Sequence, residues 1–240
     1  MCTLIALLGV VRGYPLVVAM NRDEFYDRPA LPPEIREAPT RLVAPRDGRA
    51  EGIWIGVNEH GVVAALSNRF GGDADPTARS RGLLCLESLA KPSASEAAMF
   101  ASEEAELRRY NGFNLLHGDA KRVVCTSQDA ETWTVHGMMG INVLTNAGLN
   151  AEDPRGVRVK ELLAPPKLTS LDDAIPHLHR VLSDHVDAGG RAICHHGEKT
   201  GTRSHTIVAV SDASWQENRL WHADGPPCTT ELENVSALFR

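Results

Sequence analysis

The chain has 240 residues, 42% of them hydrophobic and 23% charged, with a net charge of −6. That composition excludes wholesale disorder, and the acidic balance excludes the basic footprint by which proteins hold nucleic acid. No stretch approaches the roughly 20 apolar residues of a membrane-spanning helix, so no integral membrane contact is expected. Thr3–Val11 is apolar, but no basic segment precedes it and no small-residue cleavage site follows it. It therefore reads as a strand rather than a signal peptide, and the protein is expected in the cytoplasm. Leu16–Met20 follows after the Arg12-Gly13 turn, making a β-hairpin. Pro29 to Pro45 holds five prolines and reads as a long ordered loop. Ile53–Val57 and Val62–Ser67 flank the turn Asn58-Glu59-His60-Gly61 as a second hairpin. Helices are expected over Ser80–Ala90 and Ser95–Arg109, the latter capped by Ser95. Strands resume at Phe113–His117, Val123–Thr126, Thr132–Val135 and Asn142–Thr145. Pro154–Leu163 and Leu171–Val186 carry helical periodicity, with Pro176 kinking the second or marking a late start. The closing strands are Ala192–His195, Thr206–Val210 and Arg219–His222. Grouped strands with hairpin connections predict an α+β fold with antiparallel sheets, two of them stacked and covered by helices.

The second residue carries the most chemistry. Cys2 is small enough to let the initiator methionine be trimmed, which would leave a thiol and a free α-amine on one carbon. The amine titrates at about 7.7–8.0 and the thiol near 8.5, so the pair can act as base and nucleophile at neutral pH. The plainer reading is a small hydrophobe leading a core strand. The five cysteines, at 2, 85, 125, 194 and 228, are widely spaced and include no C-x-x-C, a pattern of reduced thiols rather than a disulfide framework. Cys85, Cys125 and Cys228 read as ordinary structural cysteines.

Polar residues gather where strands end, the usual place for a site. Asn21-Arg22-Asp23-Glu24 closes the second strand, Ser67-Asn68-Arg69 the fourth, and Thr145-Asn146 another, while Thr202-Arg203-Ser204-His205 precedes an apolar strand. Taken singly, each is compatible with turn chemistry.

Together these motifs resemble the NRDE family, whose eukaryotic members include the transport and Golgi organisation 2 homologues. The resemblance rests on Met1-Cys2-Thr3, on Asn21-Arg22-Asp23-Glu24, and on Gly52 to Asn58 with Gly61 to Arg69. It extends to Gly201-Thr202-Arg203-Ser204, and so spans almost the whole chain as one domain, 1–240. The family is similar to N-terminal nucleophile hydrolases of the cholylglycine hydrolase and penicillin V acylase branch. The resemblance implies a four-layer αββα sandwich of two antiparallel sheets. It also implies that Cys2 attacks an amide carbonyl and that Asp23 holds the α-amine. Asn146, after Val143-Leu144-Thr145, and Asn68 would serve the oxyanion, and Arg203 would support the cysteine. One departure stands out: the hydrolase branch places an arginine three residues before the aspartate, where this chain has Met20, and the nearby arginine is Arg22. If the strand continues and Asp23 faces Cys2, alternation turns Arg22 away from the thiol.

Other clusters carry less. Cys194-His195-His196 and His177-x-His179 match no standard zinc spacing, and a strand there would put Cys194 and His195 on opposite faces, so no metal is expected. Gly71-Gly72 and Gly189-Gly190 fit no phosphate-loop pattern, and no cofactor is expected. The leading expectation is hydrolysis of a non-peptide C–N bond in a small linear amide. The alternative, which the resemblance permits, is a haem or acyl-lipid binding and trafficking protein on the same scaffold. A redox-responsive thiol protein is a third reading.

Overall fold

The computed structural model describes residues 2–37, 39–69, 74–129, 131–164, 168–186, 189 and 192–240. Met1, Gly71, Gly72 and Gly190 lie outside the described residues. The apolar run after Cys2 forms β1 (Thr3–Val11), and the Arg12-Gly13 turn returns it as β2 (Tyr14–Phe25). Gly13 has φ of 75°, the left-handed turn conformation that glycine takes without strain. Next come β3 (Ala30–Arg36), β4 (Leu42–Asp47), β5 (Ile55–Asn58) and β6 (Val63–Asn68). Two helices follow, α1 (Arg81–Ser88) and α2 (Ala94–Leu107). Then β7 (Phe113–Gly118), β8 (Val123–Gln128), β9 (Thr132–His136), β10 (Gly140–Thr145) and the two-residue β11 (Gly148–Leu149) precede a second helix pair. That pair is α3 (Pro154–Leu163) and α4 (Leu171–Leu182), and the chain closes with β12 (Thr200–Val210), β13 (Arg219–Ala223) and β14 (Glu233–Asn234).

The strands make two antiparallel seven-stranded sheets, ordered β11-β10-β1-β2-β12-β13-β14 and β3-β4-β5-β6-β7-β8-β9. Alternation sorts each strand's apolar residues between two layers. Leu4, Ala6 and Leu8 of β1 face the second sheet and pack with Val57, Val63 and Leu116. Ile5 and Leu7 face outward and pack under Val159, Leu178 and Val181 of α3 and α4. On the far side, Leu84, Ala97 and Ala101 of α1 and α2 cover Ala64 and Leu115. The architecture is an α+β, four-layer αββα sandwich of two antiparallel sheets.

Several elements differ from the sequence reading. The proline-rich segment is the β3–β4 hairpin rather than a loop. Pro32 and Pro33 fall in a register shift between Leu31 and Glu34, on the edge strand of the sheet, where a missing N–H breaks no ladder. α2 starts two residues early, because Ser93 and not Ser95 is its cap. The Ser93 hydroxyl accepts from Glu96 N–H and donates to the Glu96 carboxylate, a capping box. α4 ends at Leu182 and carries Pro176 inside it. No strand forms over 192–195. The N–H groups of Ile193 and Cys194 bond instead to the Asp184 carbonyl.

Candidate active site

The pairing of β1 with β2 sets Thr3 opposite Asn21 and Leu4 opposite Met20, so one further step sets Cys2 opposite Arg22. On the other side, β1 pairs with β10 through Leu4 and Leu144, and extending that register sets Cys2 across from Asn146. Cys2 thus stands just ahead of β1, an interior strand of its sheet, 7% exposed, at a cavity of about 400 Å³. Arg22, Asp23, Asp47, Trp54, Asn68 and Arg81 share the cavity wall. A Cβ on Gly52 would run into the Gly82 backbone. That close approach lays the segment leading to Trp54 along the first turn of α1 and closes one side of the cavity.

Arg22 shares the inter-sheet face with the thiol, contrary to the expectation that alternation would turn it away. Its guanidinium lies 4.2 Å from the centre of the Trp54 ring and donates to Asp47 at 2.9 Å. The premise fails because Asp23 is the residue on the outer face. Its carboxylate accepts from the Thr202 hydroxyl at 2.7 Å and lies 3.8 Å from the Arg155 guanidinium of α3. The Asp23 backbone carbonyl lies 4.0 Å from Cys2 Sγ. Asn21, on the same outer face, donates to the carbonyls of Leu182 and Ile193 and pins this strand end beneath the helices.

Burial dominates the electrostatics. It pushes the Cys2 thiol up from its ordinary value; the Asp23 carboxylate adds to this and the Arg22 guanidinium opposes it. Burial also pushes the Asp23 carboxyl up, against the Thr202 hydrogen bond and the Arg155 charge. It would raise Asp47 as well, but hydrogen bonds from Arg28 and from the backbone of Ala50 and Arg49 outweigh it and hold that carboxyl low. Asp47 therefore stays an anion between Arg22 and Arg28, and Glu24 joins the network 3.7 Å from Arg28 and 3.8 Å from Arg22. Cys85 and Cys125 are fully buried and line no part of this cavity; burial pushes Cys125 up to about 12.

Asn68 lines the cavity; Asn146, in the β10–β11 turn and not itself on the cavity wall, meets it from the other sheet. The Asn146 side-chain amide donates to the Asn68 carbonyl, and to Ser67 Oγ at 3.3 Å. From the second sheet, Asn114 donates to the carbonyls of Thr145 and Asn146, at 3.1 and 3.3 Å, and fixes that backbone. Arg203 does not join them. It falls in the register shift between Thr202 and Ser204, where β12 has no partner for it on β2, and it is absent from the cavity wall. Its neighbour Thr202, directly opposite Asp23, takes the supporting position. Arg155, Asp47 and Arg81 escaped the sequence reading, and Thr202 entered it only as part of a motif, with no role of its own. A register count from Asp23 would have found Thr202; the others come from distant segments with no local signal. Among the described residues, one group with metal-ligand chemistry, His185, His196 and Cys228, stands apart from the cavity.

The sandwich is shared with solved structures of low sequence identity. Penicillin V acylase from Agrobacterium tumefaciens superposes with a TM-score of 0.62 at 15% identity, covering 98% of this chain and 86% of its own. The C2A mutant of conjugated bile acid hydrolase from Clostridium perfringens gives 0.59 at 13% identity, covering 98% and 96%. An N-acylethanolamine-hydrolyzing acid amidase orthologue from Caenorhabditis elegans gives 0.56 at 13%, covering 87% and 92%. At such identities the likeness is one of fold. Closer sequence relatives are the Transport and Golgi organization protein 2 homologues of Bos taurus, 35% identical, and Homo sapiens, 33% identical, each over 110 residues. Those matches cover 45% of this chain and 40% of the length of each relative. The family described as Transport and Golgi organisation 2 matches residues 1–218, which takes in the second sheet, five of the seven strands of the first, the four α-helices and every residue of the cavity wall, and on that match the chain belongs to this family.

Proposed function

We propose that the chain is an N-terminal cysteine hydrolase acting on the C–N bond of a small linear amide. The observation that carries the reading is the placement of Cys2, at a cavity that Arg22 and Asp23 also line, with the Asp23 carbonyl 4.0 Å from its thiol. With Met1 removed, the α-amine of Cys2 takes the thiol proton, and Sγ attacks the amide carbonyl to form a C–S bond. The oxyanion is received at the Asn146 and Asn68 pair, where one side-chain donor contributes on the order of 10²–10³ in rate. The amine leaves with the proton, and water then cleaves the thioester. Arg22 stabilises the thiolate, and Asp23, held by Thr202, orients the α-amine. The solved neighbours include a penicillin V acylase and a bile acid hydrolase, which supports amide chemistry on this scaffold.

A second reading, a carrier of haem or an acyl ligand without turnover, is favoured by one observation. The Asn146 amide is already engaged by the Asn68 carbonyl and Ser67 Oγ, so it must release a partner before it can serve an oxyanion. The two readings separate on Asp23→Asn. Assayed on a panel of N-acyl anilides, wild-type protein should turn over, Cys2→Ala should be inactive and Asp23→Asn severely impaired. Haem or acyl-ligand binding without turnover, indifferent to Asp23→Asn, overturns the hydrolase reading in favour of the carrier.

A further inference from the structure

Outside the cavity, two connections converge, the one from α4 to β12 and the one from β13 to β14. His185 follows α4, Cys194 and His196 lie on the segment leading into β12, and Cys228 lies between β13 and β14. Cys194 Sγ and Cys228 Sγ are 3.6 Å apart, and His196 Nε2 lies 3.6 Å from the first and 3.2 Å from the second. The ligand atoms of His185, His196 and Cys228 all fall within 4.8 Å of one another. We propose that Cys194, Cys228, His196 and His185 form a structural zinc site.

The spacing carries the argument. A tetrahedral zinc ion with Zn–S of about 2.3 Å and Zn–N of about 2.0–2.1 Å has S···S edges of about 3.8 Å and S···N edges of about 3.6 Å. The three measured separations trace one face of that tetrahedron to within a few tenths of an ångström. His185 supplies the fourth ligand: its ligand nitrogen lies within 4.8 Å of the ligand atoms of His196 and Cys228, and closing the site brings it nearer Cys194. Its Nδ1 donates to the Ser183 carbonyl at 3.2 Å, which fixes the tautomer and leaves Nε2 for the metal, the usual outer-sphere arrangement for a ligating histidine. Cys194 is buried, while the two imidazoles are exposed and give the ion an entry path. Four protein ligands close the site, so its role is structural rather than catalytic. A disulfide does not explain the cluster, because its sulfurs would sit about 2.0 Å apart and two converging imidazoles would be left without a role. The four ligands match no zinc spacing in sequence because Cys228 comes from a different loop from the other three. The strand that would have turned Cys194 away from its neighbours does not form.

The site also reaches the cavity. The N–H of His195, between the ligands Cys194 and His196, donates to Thr202 Oγ1 at 2.9 Å, and that hydroxyl donates to Asp23 at 2.7 Å. An ion here pins the segment that holds Thr202, and through it the Asp23 carboxylate.

The test uses untagged full-length protein expressed with zinc supplied. Elemental analysis should find about one zinc per chain after dialysis. Replacement by cobalt should give the intense visible bands of a tetrahedral site together with thiolate-to-cobalt charge transfer. Cys2→Ala should retain both signals and the double variant Cys194→Ser, Cys228→Ser should lose them. A strong chelator should lower the thermal midpoint of wild type. A metal-free protein that binds zinc no more tightly than the double variant overturns the proposal. So does a cobalt spectrum that is octahedral or lacks thiolate bands, or a Cys194–Cys228 disulfide in the freshly purified chain. The cobalt spectrum of wild type decides the matter even if the double variant fails to fold.

Discussion

Replacing Arg22 with methionine isolates the electrostatic support of the thiol. The methionine keeps an unbranched apolar stem against Trp54, and Asp47 keeps its bonds to Arg28 at 2.7 and 3.2 Å, so neither partner is stranded. The Arg22 charge acts on the Cys2 sulfur, and we take a separation of roughly 6 Å for the Coulomb energy. At an effective dielectric of about 20, Coulomb's law gives about 3 kcal/mol of thiolate stabilisation over that distance. A thiolate destabilised by that amount is rarer but intrinsically more nucleophilic, and the Brønsted factor of about 0.5 returns half the loss. The barrier to alkylation then rises by about 1.5 kcal/mol, or about tenfold in rate. The assay is iodoacetamide labelling at neutral pH followed by peptide mapping, with Cys85 and Cys125 as buried internal references. A Cys2 rate in Arg22→Met within twofold of wild type, with the fold retained, would refute the assignment of Arg22 to the thiol.

Three further outcomes follow from the same geometry. Thr202→Val removes a hydrogen bond to a carboxylate, worth about 1.5–3 kcal/mol. Denaturant unfolding should register that loss, and a change below about 0.5 kcal/mol would sink the Asp23 support role. Asn58→Ala should cost about 2–6 kcal/mol, because its buried amide donates to the carbonyls of Leu89 and Lys91 and accepts from the N–H groups of His60 and Val62. A loss near zero would show that these groups find other partners. Burial holds His117 and His205 down at about 3 and His222 at about 4, so all three are neutral in the folded state at mild acidity. The unfolded chain takes up protons below about 6.5, so stability should be unaffected above that pH and fall progressively as pH drops towards 4. Each ring contributes about 1.4 kcal/mol at one unit below its unfolded value, and a flat profile between pH 6.5 and 4.5 would contradict the buried neutral state.

What was legible in the sequence follows from where the determinants lie. The hairpins, the helices and the polar strand ends are local patterns, so β1, β6 and α3 and the motifs holding Cys2, Asp23, Asn68 and Asn146 could be read directly. The β3–β4 hairpin could not, because its prolines argue against a strand unless it is known to lie at an edge. Arg203 drew attention as the cation of its motif, but a register shift removes it and gives the supporting role to Thr202. Arg22 was misplaced for a related reason: alternation was applied correctly, but to the wrong reference, since the Asp23 carboxylate and not the Arg22 side chain lies on the far face from the thiol. The Cys194, His196 and Cys228 cluster depends on the α4–β12 and β13–β14 loops meeting, which no spacing along the chain encodes.

The central claim is that Cys2 is a terminal nucleophile. It is tested most directly by the intact mass of untagged protein after brief exposure to an acyl β-lactone, which acylates a reactive thiol by ring opening and leaves its whole mass attached. The account predicts a chain that lacks Met1 and carries one acyl group, mapped to Cys2. A chain that retains Met1 and stays unmodified, or that is acylated at another cysteine while Cys2 stays free, would contradict it.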